Sequence, residues 1–316
     1  MGKIDTEAKA YLSYKERFSD IFNFWIYDGK NVIDPDGLTE LDTTSVAIPH
    51  NGRSRKHVQK YRDILKLYAA KSDSRAIYLI LGLEIESKIH YGMPVRAMLY
   101  DAMNYAEQVQ AITQRRRKDK PKQTRHEYLS GLGKDDRLKP VVTLVLNISG
   151  EYWDGCKSIH ELLYVEDEHI LQFVPNYKLN LLSPDLLTEQ DFDKFRTGVG
   201  AAMQFLKHQH DDNMDWMGAK GELNVDRATA EFVQTATGTD FEINENGEVI
   251  DMCRAWKNSM DQAKAAGKAE GKAEGQLSER LISIRNVMKT LDVTVNRAME
   301  ILCIPAEEQK KYISMV

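Results

Sequence analysis

The chain is poor in cysteine: Cys156, Cys253 and Cys303 stand alone among 316 residues. Isolated thiols, odd in number, exclude a disulfide framework and the paired spacing of zinc ribbons or thioredoxin-like redox sites. Long apolar runs are missing as well. The longest, at 77–83 and 141–148, fall far short of the roughly 20 residues a membrane span requires. No basic region followed by an apolar block is found near Met1, so the expectation is a cytoplasmic protein with no membrane partner. Positive charge is not in excess. A formal net charge of −5 means that no global field draws the chain to nucleic acid, and any such contact needs a local patch. There is neither a nucleophile elbow nor a dinucleotide glycine fingerprint. Each Gly-Lys pair at 267–268 and 271–272 is followed by Ala, where a P-loop needs Ser or Thr. His208-x-His210 ahead of Asp211-Asp212 lacks a third ligand at a recognisable spacing and reads as a polar helix end.

What is present is an α/β pattern with 42% hydrophobic residues. Apolar residues at a helical period over 11–24 predict an amphipathic opening helix ending at the turn pair Asp28-Gly29. A polar stretch follows to about 52. Runs at 61–68 and 75–86 read as two strands of a β-hairpin joined by Lys71-Ser72-Asp73-Ser74. The second is almost wholly apolar, as expected of a central strand covered on both faces, which places function at its polar end. Pro94 opens a helix over 94–113, with Val95, Met98, Leu99, Ala102, Ala106 and Val109 as its expected buried stripe. Arg96, Tyr100, Asn104 and Gln108 repeat every four residues along another face. Further strands are expected at 140–148 and 170–182, and helices at 188–209, 226–237 and 248–262. Strands interleaved with helices indicate an α/β domain over 1–262.

Residues 263–276 are low in complexity, with Gly267, Gly271 and Gly275 four apart. Two readings stand: a flexible or weakly helical linker, or a glycine stripe along a helix that lets another helix approach closely. Residues 277–316 contain three short helical patterns and read as a separate C-terminal unit. A second local feature is basic. Arg115, Arg116, Arg117, Lys118, Lys120, Lys122 and Arg125 put seven bases in eleven residues, broken by Pro121, and read as a loop or arm.

Paired carboxylates carry the candidate chemistry. Hydrolysis of a phosphodiester at neutral pH needs a generated nucleophile and neutralised charge in the transition state, both of which a carboxylate-bound Mg²⁺ supplies. Hard cations prefer oxygen ligands. A hairpin with Asp63 on one arm and Glu84 on the other brings two such ligands together.

The residues around this pair are more specific than the pair. Tyr61-Arg62-Asp63-Ile64-Leu65-Lys66, then Ile80-Leu81-Gly82-Leu83-Glu84-Ile85-Glu86-Ser87, then His90-Tyr91-Gly92-Met93-Pro94-Val95-Arg96 through Tyr100-Asp101 closely resemble the Rpn family of recombination-promoting nucleases and transposases, in the PD-(D/E)XK superfamily. The likeness continues through Pro140-Val141-Val142-Thr143-Leu144-Val145-Leu146, Trp153-Asp154-Gly155 and Phe173-Val174-Pro175-Asn176-Tyr177-Lys178-Leu179-Asn180-Leu181, and into the Gly-Lys-Ala-Glu repeats. It implies a restriction-endonuclease-like mixed sheet flanked by helices, with a metal at a strand end and a small helical tail. It further implies a DNA endonuclease dependent on Mg²⁺, or on Mn²⁺ in its place, linked to recombination or to mobile or invading DNA. Asp63 and Glu84 take the positions of the motif acids, with the carbonyl of Ile85 as a third metal oxygen. The opening helix of this fold often adds another acid, for which Glu16 and Asp20 are the candidates.

One position departs from the pattern. Family members carry Gln, and the superfamily Lys, where this chain has Glu86, and a carboxylate donates no hydrogen bond unless protonated. Two registers therefore compete: Glu84-Ile85-Glu86 as the catalytic tripeptide, or Glu86-Ser87-Lys88 as the literal acid-x-lysine motif. Residues 84, 86 and 88 of an extended strand would share a face, which would bring Lys88 to the site. Arg96 reads either as a phosphate contact or as a structural ion pair. The basic segment 115–125 is expected to touch DNA phosphates. A cleavage-deficient DNA-binding or assembly protein is the alternative function, and a homo-oligomer, with the C-terminal helices as a dimerisation module, is the expected assembly.

Overall fold

The computed structural model describes all residues except 1, 48–57, 62, 73–74, 166, 212–215, 218–220, 240–242, 244–248, 314 and 316. The chain divides into two compact units, 1–253 and 254–316.

The first unit opens with two helices where one was predicted. α1 (Lys3–Ser13) and α2 (Lys15–Tyr27) are separated by Tyr14 in an extended conformation. α2 ends as expected, with Asp28 left-handed at φ 53° and Gly29 at φ 79°. The polar stretch beyond contains β1 (Leu38–Glu40) and β2 (Thr44–Ala47), the latter paired with β3 (Val58–Tyr61) in a small separate sheet. β4 (Ile64–Ser72) and β5 (Arg75–Glu86) form the predicted antiparallel hairpin, from the pair Ile64 and Leu83 to the pair Ser72 and Arg75. Its turn residues Asp73 and Ser74 lie outside the described residues.

Helix α3 (Met93–Asp119) is longer than its sequence pattern suggests, and a short α4 (Arg125–Ser130) follows. β6 (Val141–Asn147) then returns parallel to β5, and β7 (Asn180–Leu182) parallel to β6. The main sheet is thus five-stranded and mixed, in the order β1-β4-β5-β6-β7. The strand expected over 170–182 shrinks to β7. Before it, Asp167 accepts from the His169 amide and starts a helical turn, α5 (Glu168–Leu171), and Pro175 has no N–H to give a ladder. α6 (Glu189–Phe192), α7 (Val199–His208), β8 (Asn224–Asp226), α8 (Arg227–Thr237) and β9 (Val249–Asp251) complete the unit, β8 pairing with β9.

Helices cover both faces of the main sheet. Strand alternation turns Glu84, Glu86, Thr143 and Val145 to the α3 side, where Val145 packs with Met93 and Ala97 of that helix. Leu81, Leu83 and Ile85 face the opposite way and are buried. On that opposite side Lys66 is also fully buried. Its Nζ donates to the Ser13 carbonyl at 2.7 Å and to Glu40 at 3.1 Å, pinning the α1–α2 corner to the sheet.

α3 corrects the sequence reading. The stripe it buries is Met93, Pro94, Ala97, Tyr100, Met103 and Asn104, whereas Val95 and Met98 are 49% and 38% exposed. The reason is polar. The sheet presents Glu84, Glu86 and Thr143 to this helix, and buried polar groups need partners. Arg96 supplies one for each glutamate, and Asp101 accepts from Thr143 and from Tyr177. The same face also carries Met93 and Ala97 against Trp153 and Leu181.

In the second unit, α9 (Met252–Leu291), most of which belongs to it, runs unbroken through Gly267, Gly271 and Gly275, so residues 263–276 form helix rather than loose linker. The Ala, Lys, Glu and Gln between the glycines are strong helix formers and offset a cost of about 1 kcal/mol per glycine. Open space surrounds all three. Of the three short helices expected over 277–316, the first is the end of α9, and the other two follow as α10 (Val295–Ile301) and α11 (Ala306–Ile313), closed around Ile284, Ala298, Met299, Ile304 and Tyr312.

Candidate active site

β5 is the strand at which pairing changes from antiparallel, with β4, to parallel, with β6. Its apolar run ends in Glu84-Ile85-Glu86, and the candidate carboxylates gather there. Asp63 lies in the bend just before β4 rather than within a strand. Its Oδ2 accepts from the Ile85 amide at 2.9 Å, which brings the first acid to the tripeptide that contains the second. Glu84 is fully buried and Glu86 nearly so.

Arg96, on the first turn of α3, reaches both glutamates. Its Nη1 lies 2.8 Å from Glu86 Oε1, its Nη2 3.3 Å from Glu84 Oε2, and its Nε donates to the Tyr100 hydroxyl at 3.2 Å. Of the two readings open for Arg96, the structure displays the ion pair.

Electrostatics follow from burial and crowding. Burial pushes the Glu86 carboxyl up to about 7; the Arg96 charge opposes this, while Asp63 and Asp5 add to it. Burial also raises Asp63, against the Ile85 amide and the charges of Arg96 and Lys9. Asp5 moves the other way, held below its usual range chiefly by the hydroxyl of Ser87. Glu86 therefore exchanges its proton near neutral pH, and when protonated it can donate a hydrogen bond as an amide would.

Asp5 is the acid that the sequence reading missed. It accepts from Ser87 Oγ at 2.5 Å and so ties α1 to the end of β5. The proposed acids of the opening helix are elsewhere. Asp20 is buried and accepts from the amides of Arg196 and Thr197 and from the Thr197 hydroxyl, so its lone pairs serve a loop. Glu16 is exposed and lines, with Arg17, Phe195 and Asp226, a separate cavity of about 1070 Å³. The usable signal was an acid in the first turn of a helix beginning at Lys3, where negative charge is favoured.

Lys88 lies just beyond the strand. β5 stops at Glu86, and Ser87 and Lys88 form a bend, so strand alternation does not extend to Lys88; it is exposed, and its charge acts on Asp5.

The basic segment is not a free arm. Arg115, Arg116, Arg117 and Lys118 lie in the last turns of α3, and Lys120 caps the helix with φ 46°. Cations in the last turn complement the helix dipole, which lets the helix run to Asp119. Arg116 is structural: its Nη1 lies 3.0 Å from Asp136 and its Nη2 3.8 Å from Glu127. Arg115 stands 3.7 Å from Asp136 and stays mostly exposed. Arg117, Lys118, Lys120, Lys122 and Arg125 are exposed.

The donor chemistry fits a hard cation: the carboxylates of Asp63 and Glu84 and the carbonyl of Ile85 are all oxygens, grouped at one strand end. Among the described residues, no three His, Cys, Asp or Glu side chains stand together as a ready cage. No helix among these residues is long and apolar enough to cross a membrane. Comparisons with protein families, with curated proteins and with solved structures find no match to this chain.

Proposed function

We propose that the chain is a Mg²⁺-dependent DNA endonuclease built on a restriction-endonuclease-like core, with Mn²⁺ able to replace Mg²⁺. The observation that carries this reading is the meeting of Asp63 with Glu84-Ile85-Glu86 at the end of the central strand. Crowded, partly buried carboxylates with raised proton affinity are characteristic of functional sites and favour a bound cation. Asp63, Glu84 and the Ile85 carbonyl would hold the metal, which would supply an activated water and charge neutralisation at the phosphate. Glu86 would take or give a proton at one oxygen. The exposed Arg115, Arg117, Lys118, Lys120, Lys122 and Arg125 would contact phosphates, giving affinity without sequence information. A role in recombination or against mobile or invading DNA rests on the family resemblance.

One observation favours a second reading. Arg96 already neutralises Glu84 and Glu86; as a permanent counter-ion it would leave a DNA-binding or assembly protein without cleavage. Incubation of the protein with supercoiled plasmid separates the two. Nicking with Mg²⁺ or Mn²⁺ that EDTA stops supports the nuclease; intact plasmid under retarded mobility supports the binding protein.

A further inference from the structure

Glu84 and Glu86 project to one side of β5, with side chains 0% and 10% exposed. Two buried like charges at this spacing need a cation. Arg96 meets them with separate nitrogens, and its third nitrogen is tied to the Tyr100 hydroxyl. The Arg96 side chain is itself 28% exposed. It is thus partly open to solvent, and being long and unbranched it can shift about its own bonds while the helix stays in place. The carboxylate lone pairs that accept from a guanidinium are those a hard cation would take, and one oxygen cannot serve both at full strength.

We propose that Arg96 is a displaceable counter-ion: it occupies the ground between Glu84 and Glu86 until a divalent cation held with Asp63 and the Ile85 carbonyl takes the Glu84 carboxylate, and it thereby sets the affinity of the site for that cation. This inference rests on the metal-dependent reading above. The guanidinium holds both glutamates toward α3. Released from Glu84, Arg96 remains at the carboxylate edge, where its guanidinium is placed to meet a phosphate.

Mn²⁺ binding to the full chain, measured by electron paramagnetic resonance at pH 8 without DNA, tests the inference. If Arg96 is engaged in nine molecules out of ten, its removal should tighten binding about tenfold. Arg96→Met should show that gain, and Arg96→Lys, which keeps the charge but loses the fork, a smaller one. Tyr100→Phe removes the hydroxyl that accepts from Arg96 Nε and should tighten binding about threefold with the arginine in place. Glu84→Gln should abolish binding in every background. Equal affinity in wild type, Arg96→Met and Tyr100→Phe would overturn the counter-ion role and leave the metal site standing. Absence of Mn²⁺ binding in all of them would overturn the metal-dependent reading and this inference with it.

Discussion

The Oδ2 atom of Asp63 accepts a hydrogen bond from the Ile85 amide at 2.9 Å. These residues are 22 apart in sequence, and the contact closes the open end of the β4–β5 hairpin just where its ladder stops. Asp63 thus has a structural role, holding the end of β5, in addition to the ligand role proposed for it.

That dual role shapes the first prediction. Asp63→Asn keeps an acceptor for the Ile85 amide while removing the charge, and Glu84→Gln does the same at nearly constant volume. Both should abolish metal-dependent plasmid cleavage, with DNA affinity in EDTA nearly unchanged and the melting temperature close to wild type. A variant that cuts at the parental rate would remove that residue from the metal site.

Glu86 makes metal-free stability depend on pH. Its folded pKa, pushed to about 7, lies above the ordinary value of 4.5. Between those values the folded state binds more protons than the unfolded one, so stability falls as pH rises. The contribution is fully present below about 4.5 and is lost as pH passes through about 7. Denaturant unfolding in EDTA at pH 5, 6, 7 and 8 should show wild type losing stability relative to Glu86→Gln. A constant difference would contradict the raised pKa.

The basic segment divides into two classes of residue. Arg116→Ala should cost about 1–3 kcal/mol in unfolding free energy, because it removes the nearer of the two cations beside Asp136 and leaves only Arg115 at 3.7 Å. Arg115, Arg117 and Lys118 replaced together by Ala should leave stability within about 0.5 kcal/mol. The triple variant should flatten the log–log salt dependence of DNA binding by about 2 to 3 units, near 0.9 per phosphate contact. An unchanged salt slope would make these side chains ordinary solvated charges.

Because Lys88 sits in an exposed bend beyond β5, Lys88→Ala should slow cleavage by no more than about threefold, under about 1 kcal/mol of transition-state stabilisation. Single-turnover rates on plasmid would decide it. A loss of tenfold or more would return Lys88 to the mechanism and restore the acid-x-lysine register.

The elements legible in the sequence are those set by local chemistry. The β4–β5 hairpin, β6, α8 and the C-terminal helices follow from periodicity and turn residues, and α2 ends at Asp28-Gly29 because a left-handed pair can stop a helix there. The arrival of Asp63 at the Glu84-Ile85-Glu86 end of β5 was readable from hairpin pairing. Tertiary structure decided the rest. Which face of α3 is buried depended on buried sheet carboxylates 10 and 12 residues from Arg96, and no helical pattern encodes a partner on another element. Asp5 reached the site only through the contact of α1 with Ser87. Asp20 left it because two loop amides, 176 and 177 residues away, claimed its oxygens. Local sequence sets backbone preference within a few residues, whereas the pairing of buried charges is settled by whatever the fold brings within hydrogen-bond reach.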